Sequence, residues 1–301
     1  MEKKDKKTNF KPFVILFILI ITAILGIQIF GAVRFETTFA SQGEVIDGFW
    51  SETLLVRDER VIYAPLSGRV NLKVGEGDRL SAGRELAVIE AAHKNQKIFN
   101  QKAGIISFAV DGLEEKINFN KLYDINLDKF DDYQGDYKHL ISGKKIRKSE
   151  PLYRIVNNFR LYLIAPAPKK QADRFHLNEV IFLQEKQSDE LLQAEVVDIR
   201  HNLDNSFLFI KVDLFVPRWI NIRKVNLNII KNIYRGIKLP RKAVFNQPSG
   251  QGVLKVTGYN KFEFQEVVII DGNDKEVIVS GVEIGEEIIT NPEDFDYGRE
   301  G

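Results

Sequence analysis

Slid against itself, the 301-residue chain shows a degenerate repeat, and a repeat restricts a fold strongly because one geometry must suit both copies. Ile62, Ala64, Gly68, Val70 and Val74 in IYAPLSGRVNLKV return 36 residues later as Ile98, Asn100, Gly104, Ile106 and Val110 in IFNQKAGIISFAV. The second piece returns at another offset. Gly77, Leu80, Leu86 and Ile89 in GDRLSAGRELAVI reappear 66 residues on, as Gly143, Ile146, Leu152 and Ile155 in GKKIRKSEPLYRI. The two offsets differ by 30 residues, which marks an insertion between about Asp111 and Ser142. Each copy reads as short strands, with Gly68 and Gly104 at the start of a strand and Gly77 and Gly143 at the turn that follows. One copy cannot bury its apolar face alone. Two copies about a pseudo-twofold axis close a small flattened barrel, with Val70, Val74, Leu86, Ile89, Ile106, Val110, Leu152 and Ile155 predicted inside.

Ahead of the repeat, residues 1–11 carry five lysines against Glu2 and Asp5. Then Pro12–Val33 runs without an ionisable group until Arg34, a length of about 33 Å as a helix, enough to span a bilayer. A buried soluble helix would keep a polar face, and only Thr22, Gln28 and two glycines interrupt this one. The stretch is too long for a secretory signal, and Thr38-Phe39-Ala40 makes a poor cleavage site. The lysine excess before the helix predicts a cytoplasmic N-terminus and places residues 34–301 outside the cytoplasm, on a single-pass protein of the cell membrane. The chain has no cysteine, which excludes a lipoprotein anchor, disulfides and thiolate-bound metals. Its net charge of +1 gives no basic field for nucleic acid.

The remainder reads as mainly β, with alternating strands and Gly, Asn and Pro turns. YAPLSGRVNLKVGEGDRLSAGRELAVIE resembles the first half of a biotinyl/lipoyl-like barrel-sandwich hybrid of HlyD-like membrane fusion proteins, the periplasmic adaptor subunits. LQAEVVDIRHNLDNSFLFIKVDLF, with Asp204-Asn205 in its turn, is similar to the central hairpin of the adaptor β-barrel. A membrane-proximal β domain is resembled by Leu-Pro-x-x-Ala-Val from Leu239, Gly-Val-Leu-x-Val from Gly252 and Gly-Val-x-x-Gly-Glu-x-Ile from Gly281. The likeness covers most of residues 40–292, and its specificity lies in the order of the motifs. It implies a basic tail (1–11), a transmembrane helix (12–33), a hybrid domain (43–157) with its insertion at 111–142, a β-barrel (158–240), a membrane-proximal domain (241–292) and a flexible tail (293–301). It implies a non-enzymatic adaptor or scaffold that assists a transporter or an efflux or secretion system. The implied partners are the lipid bilayer, an integral membrane transporter such as an ABC-type permease, or an envelope protein, together with further copies of the chain. A cell-envelope structural or assembly role without transport stays open. Many members carry a long helical hairpin between the two halves, for which the residues after Ile89, AAHKNQK, leave no room.

Carrier domains of the same fold modify a lysine at this turn. Counting back eleven positions from Gly104 lands on His93, with Lys94 one off and no flanking methionine, so a biotin or lipoate carrier on Lys94 is the weaker alternative and a solvated turn lysine the default. His93, His139, His176 and His201 show no ligand spacing, and no metal or cofactor is expected. Asp128, Asp131, Asp132 and Asp136 lack the ordered glycine and closing glutamate of a calcium loop and read as a solvated acidic insertion or a partner contact. The glycines of GEGDRLSAG precede no helix and serve turns rather than phosphate. No nucleophile elbow or paired acids point to catalysis.

Overall fold

The computed structural model describes residues 35–92, 94–202, 205–248, 250–259 and 261–292. The basic tail and helix expected over 1–33 and the tail 293–301 lie outside them. Among the described residues no helix is long and apolar enough to cross a membrane. The strands are β1 (Thr37–Phe39), β2 (Ser41–Tyr63), β3 (Gly68–Leu72), β4 (Arg79–Leu80), β5 (Glu85–Glu90), β6 (Asn95–Phe99), β7 (Gly104–Ser107), β8 (Ala109–Val110), β9 (Lys138–His139), β10 (Lys145–Ile146) and β11 (Pro151–Ala167). They continue as β12 (Val180–Glu185), β13 (Leu191–His201), β14 (Ser206–Val212), β15 (Lys224–Pro240), β16 (Phe245–Gln247), β17 (Gly250–Gly258), β18 (Lys261–Glu266), β19 (Val268–Gly272), β20 (Glu276–Ser280) and β21 (Glu287–Ile289). Among the described residues helix is confined to short pieces, such as Lys169–Ala172 and the six-residue stretches Phe119–Asp124 and Leu127–Asp132. The chain forms two compact units, one from Asp47–Ile233 and one from the segments on either side.

Within the larger unit the repeat is a true pseudo-twofold. Strands β10, β3, β5 and β6 pair in that order, and β4, β7, β11 and β2 pair in the matching order. The registers agree position by position. Val70 faces Ile89 as Ile106 faces Ile155, Ile146 faces Gly68 as Leu80 faces Gly104, and Ala87 faces Ile98 as Tyr153 faces Ile62. Hydrogen bonds repeat too: Gly77 N–H donates to the Ile106 carbonyl (2.9 Å), and Gly143 N–H to the Val70 carbonyl. Asn100 N–H donates to the Arg84 carbonyl as Ala64 N–H does to that of Glu150, both at 2.8 Å. Seven of the eight predicted interior residues meet in one core, Val74 only partly buried, while Val110, also buried, lies outside that cluster.

Gly68 and Gly104 are required by space rather than torsion. A Cβ on Gly68 would stand 2.5 Å from the Glu90 carbonyl oxygen, and one on Gly104 2.8 Å from that of Val156. At the turn before β5 and β11, Gly83 has φ +83° and its mate Ser149 has φ 65°. A serine therefore sits in the left-handed region where the first copy has glycine.

The second half of the unit is a closed six-stranded antiparallel barrel. Strands β15, β12, β13, β14 and β11 pair in sequence, and β2 closes the ring by pairing with both β11 and β15. One barrel strand thus comes from ahead of the hybrid domain, because β2 is long enough to serve both: residues 59–63 pair with the first part of β11 and 54–57 with the second. Alternate residues face inward, as 161, 163, 165 and 167 on β11 and 208, 210 and 212 on β14 do, around Trp219 and Phe175. The hairpin expected around Asp204-Asn205 is present in the β13–β14 pairing, with Asn202 N–H donating to the Asn205 carbonyl at 2.9 Å and residues 203 and 204 outside the described set.

In the smaller unit, β1 pairs β21, β17 pairs β21, β16 and β18, and the end of β15 pairs β20, which pairs β19. Its core holds Ala40, Leu239, Ala243, Val253, Val267, Val277, Val279, Val282 and Ile288. The Leu239–Val244, Gly252–Val256 and Gly281–Ile288 motifs all contribute to it.

Two outcomes are expected in denaturant unfolding of the purified chain. Gly68→Ala and Gly104→Ala each lose about 1–3 kcal/mol, since neighbouring backbone must move. Ser149→Gly gains roughly 0.5–1 kcal/mol by relieving the left-handed serine, and an unchanged midpoint would remove that account.

Candidate functional site

Where the hybrid domain meets the barrel, the described residues hold a buried charge cluster. Arg57 and Glu59 are two apart on β2 and so share its inward face. Arg154 reaches them from β11, Asp111 and Glu114 from the chain after β8, and Arg223 from just ahead of β15. All six are at most 6% exposed, and Arg154 is wholly buried. Glu59 is the centre: its Oε2 accepts from Arg154 Nη1 at 2.8 Å, and Arg223 Nη1 lies 2.9 Å from its Oε1. Arg223 Nε donates to Asp111 Oδ2 at 2.7 Å. Arg154 Nη2 donates to the Ile220 carbonyl (2.8 Å), and Arg57 Nη2 to the carbonyls of Trp219 (2.6 Å) and Ile222. Glu114 accepts the backbone N–H groups of Asp111 and Gly112.

Arg57, Arg154 and Arg223 stand against Glu59 and Asp111, while Glu114 is held by backbone N–H groups, so buried charge meets opposite charge where water cannot screen it. Burial pushes Arg57 down to about 10 against the pull of Glu59. Burial alone would raise Asp111, but Arg223 and the Leu113 N–H outweigh it and hold the carboxyl below its ordinary 3.8. Burial raises Glu114, and burial raises the neighbouring Tyr137 phenol to about 12. Buried and paired, the cluster fixes the geometry of the seam, with Asp111 alone reaching a neighbouring cleft.

The insertion starts from this cluster and is not the solvated acidic loop that its composition predicts. Ile117, Leu122, Ile125 and Phe130 bury themselves against Leu54, Val56, Ile164, Phe207 and Phe209 on the outer face of the barrel. This explains why β14 is buried on both faces. Phe130 packs on Phe207 with ring centroids 5.7 Å apart, and Lys224 Nζ stands 4.6 Å from the Phe130 ring centre. Asp128, Asp131, Asp132 and Asp136 are exposed on its outer side, as expected of them individually.

The remaining singled-out residues do not come together. Lys94 is exposed in the connection 91–94 between β5 and β6, where Ala91 N–H donates to its carbonyl at 3.1 Å, and His93 lies outside the described residues. His139 is on β9, His176 Nδ1 is 3.7 Å from Glu179 Oε2, and His201 Nδ1 is 2.7 Å from Ser206 Oγ. Among the described residues no three His, Asp or Glu side chains are placed to hold a metal ion. Gly77 and Gly83 serve turns at positive φ. Sequence reasoning missed Arg57, Glu59, Asp111, Arg154 and Arg223. Their one local signal is at Arg154, which falls between Tyr153 and Ile155 in a run of apolar residues.

A barrel-sandwich hybrid with an antiparallel barrel built on the same two strands defines the adaptor class. Two family models match in the same order: the RND related, barrel-sandwich hybrid domain over residues 59–157 and the RND related, beta-barrel domain over residues 161–233, together more than half of the chain. The chain belongs to the RND-related, HlyD-like membrane fusion proteins. No curated protein matches it. Among solved structures it is similar to ZneB from Cupriavidus metallidurans, at 11% identity and TM-score 0.39 over 85% of this chain and 92% of that one. It is likewise similar to MacA from Actinobacillus actinomycetemcomitans, at 10% and 0.38 over 86% and 99%. The membrane fusion protein Spr0693 from Streptococcus pneumoniae R6 aligns at 10% and 0.33 over 61% and 100%.

Removing one member of the cluster leaves a buried charge unpaired, so Arg154→Met is expected to cost about 3–5 kcal/mol in chemical unfolding. Asp111 stabilises the fold above its unfolded value of 3.8, and that contribution is lost as pH falls through its lower folded value. The unfolding free energies of wild type and Asp111→Asn should therefore converge on acidification below pH 3.8, and a gap that persists there contradicts the assignment. Phe130→Ala should lose about 3 kcal/mol, whereas a freely solvated insertion would lose nothing measurable.

Proposed function

We propose that the chain is a single-pass, membrane-anchored adaptor: residues 12–33 cross the cell membrane with the N-terminus in the cytoplasm, and the β units stand outside it and engage an integral membrane transporter. The observation that carries this reading is the order along one chain of a basic tail, a charge-free 22-residue stretch and the two domains of a membrane fusion protein. The motifs of the smaller unit support its reading as the membrane-proximal domain. The buried, charge-paired seam supports a scaffold that holds its parts in fixed geometry and binds partners rather than transforming a substrate.

Strands β5 and β6 are joined by only four residues, 91–94, where many family members carry a helical hairpin. Such an adaptor has no arm with which to cross a periplasm. It suits a partner in the same membrane, and the same observation favours a second reading, a cell-envelope assembly protein without transport.

Crosslinking in intact cells, followed by purification in mild detergent, tests both. A transporter subunit among the crosslinked partners supports the first reading, an envelope-assembly or wall-linked protein supports the second, and a partnerless monomer contradicts both. Intact mass of the native protein is expected to equal that of the unmodified chain, and an added biotin or lipoate on Lys94 would replace the adaptor reading with a carrier.

A further inference from the structure

The pseudo-twofold that equates the two halves of the hybrid domain does not extend to charge. Gly143–Glu150 overlays Gly77–Arg84, with Ile146 and Leu80 at the same inward position. Over these eight positions the first copy, with Asp78, Arg79 and Arg84, sums to +1, and the second, with Lys144, Lys145, Arg147, Lys148 and Glu150, to +3, its four cations standing where the first copy has Asp78, Arg79, Ser81 and Ala82. All four cations are exposed, and none makes an ion pair with a described residue. They surround β10, which ends the order β10, β3, β5, β6 and has no further strand on its outer side. Val70 N–H donates to the Lys144 carbonyl, so antiparallel alternation turns the N–H and C=O of Lys145 away from β3 and toward solvent.

This edge opens onto a cleft of about 1250 Å³. Leu140 and the edge of Ile146 are among its lining residues, and so is a further cation, Lys138 of the insertion, which makes no ion pair with a described residue. Of the acids that reach it, Asp111 is matched by Arg223, the Glu90 carboxylate accepts from Asn71, and that of Glu150 accepts from the Arg147 N–H, leaving Asp136 unengaged by any described residue. Lysines on an edge strand can serve merely to discourage pairing between copies. That role needs no cleft, and it does not call for a further cation from the insertion, Lys138, along the same cleft.

We propose that the cleft binds an acidic, extended segment of a partner protein, which adds a strand to β10 and sets its carboxylates against Lys138, Lys144, Lys145 and Arg147. The segment alternates acidic with apolar residues, so that one face meets the cations and the other Leu140. The proposal rests on the adaptor reading only in taking the partner to be a protein, and its test uses the purified chain without any transporter, so either can fail alone.

The probe is a fluorescein-labelled peptide of alternating Glu and Val, titrated with the full-length protein in non-ionic detergent and followed by anisotropy at low salt. Saturable binding is expected, weakened about tenfold or more by Lys144→Glu, Lys145→Glu and Arg147→Glu combined. Lys169→Glu with Lys170→Glu, equally exposed in the barrel's helical turn, should leave it unchanged. N-methylation of alternate peptide amides, which preserves charge and removes strand pairing, should also weaken it about tenfold. The positions are solvent-facing, so the variants should melt with wild type. The proposal is overturned by no saturation at roughly 1 mM, by equal loss in the two charge variants, by undiminished binding of the N-methylated peptide, or by displacement of the peptide with anionic lipid in the micelle.

Discussion

The larger unit hangs on one carboxylate. Glu59 holds Arg154 of the hybrid domain on one oxygen and lies against Arg223 of the barrel on the other, and Arg223 passes the connection to Asp111 at the root of the insertion. Apolar packing is non-directional and would tolerate some sliding at such a seam. Guanidinium–carboxylate contacts away from water do not, because any displacement exposes a buried charge to a medium that cannot solvate it. The domains are therefore registered against each other by electrostatics, while the hydrophobic cores on either side supply cohesion.

The insertion finishes what the seam begins. Its first turn uses Glu114 to gather the N–H groups of Asp111 and Gly112, and the chain then lays Ile117, Leu122, Ile125 and Phe130 over the barrel wall. Strand β14 shows the effect: Phe207 and Phe209 would face water on an ordinary barrel and are instead buried beneath these residues. A segment with this load of aromatic contact is part of the core. Only its acidic outer side remains for solvent or a partner.

The hybrid domain was legible in the sequence because its constraint is local and periodic: glycines where backbones touch, and apolar residues every second position, at offsets that survive the 30-residue interruption. The barrel hairpin was legible for the same reason. The charge cluster was not. Arg57 and Arg223 stand 166 positions apart in the chain, and taken singly an arginine or glutamate in a polar sequence reads as surface. The insertion was misread because its aspartates dominate its composition, although the apolar spacing of Ile117, Leu122, Ile125 and Phe130 was there to be weighed. That β2 serves two domains could not be inferred, since strand sharing depends on pairing partners more than a hundred residues downstream.

That shared strand also sets an order of assembly. Leu55 donates its amide to the Arg223 carbonyl, a closure spanning 168 residues, whereas the hybrid domain completes its last pairing by Val156. A chain emerging from the ribosome N-terminus first can therefore fold its hybrid domain while the barrel still lacks its closing strands. Without Arg223, Glu59 has only Arg154 and Arg57 beside it, and the carboxylate of Asp111 lacks its guanidinium partner. The seam is therefore complete only when the ring closes, because its last guanidinium comes from the far end of the barrel.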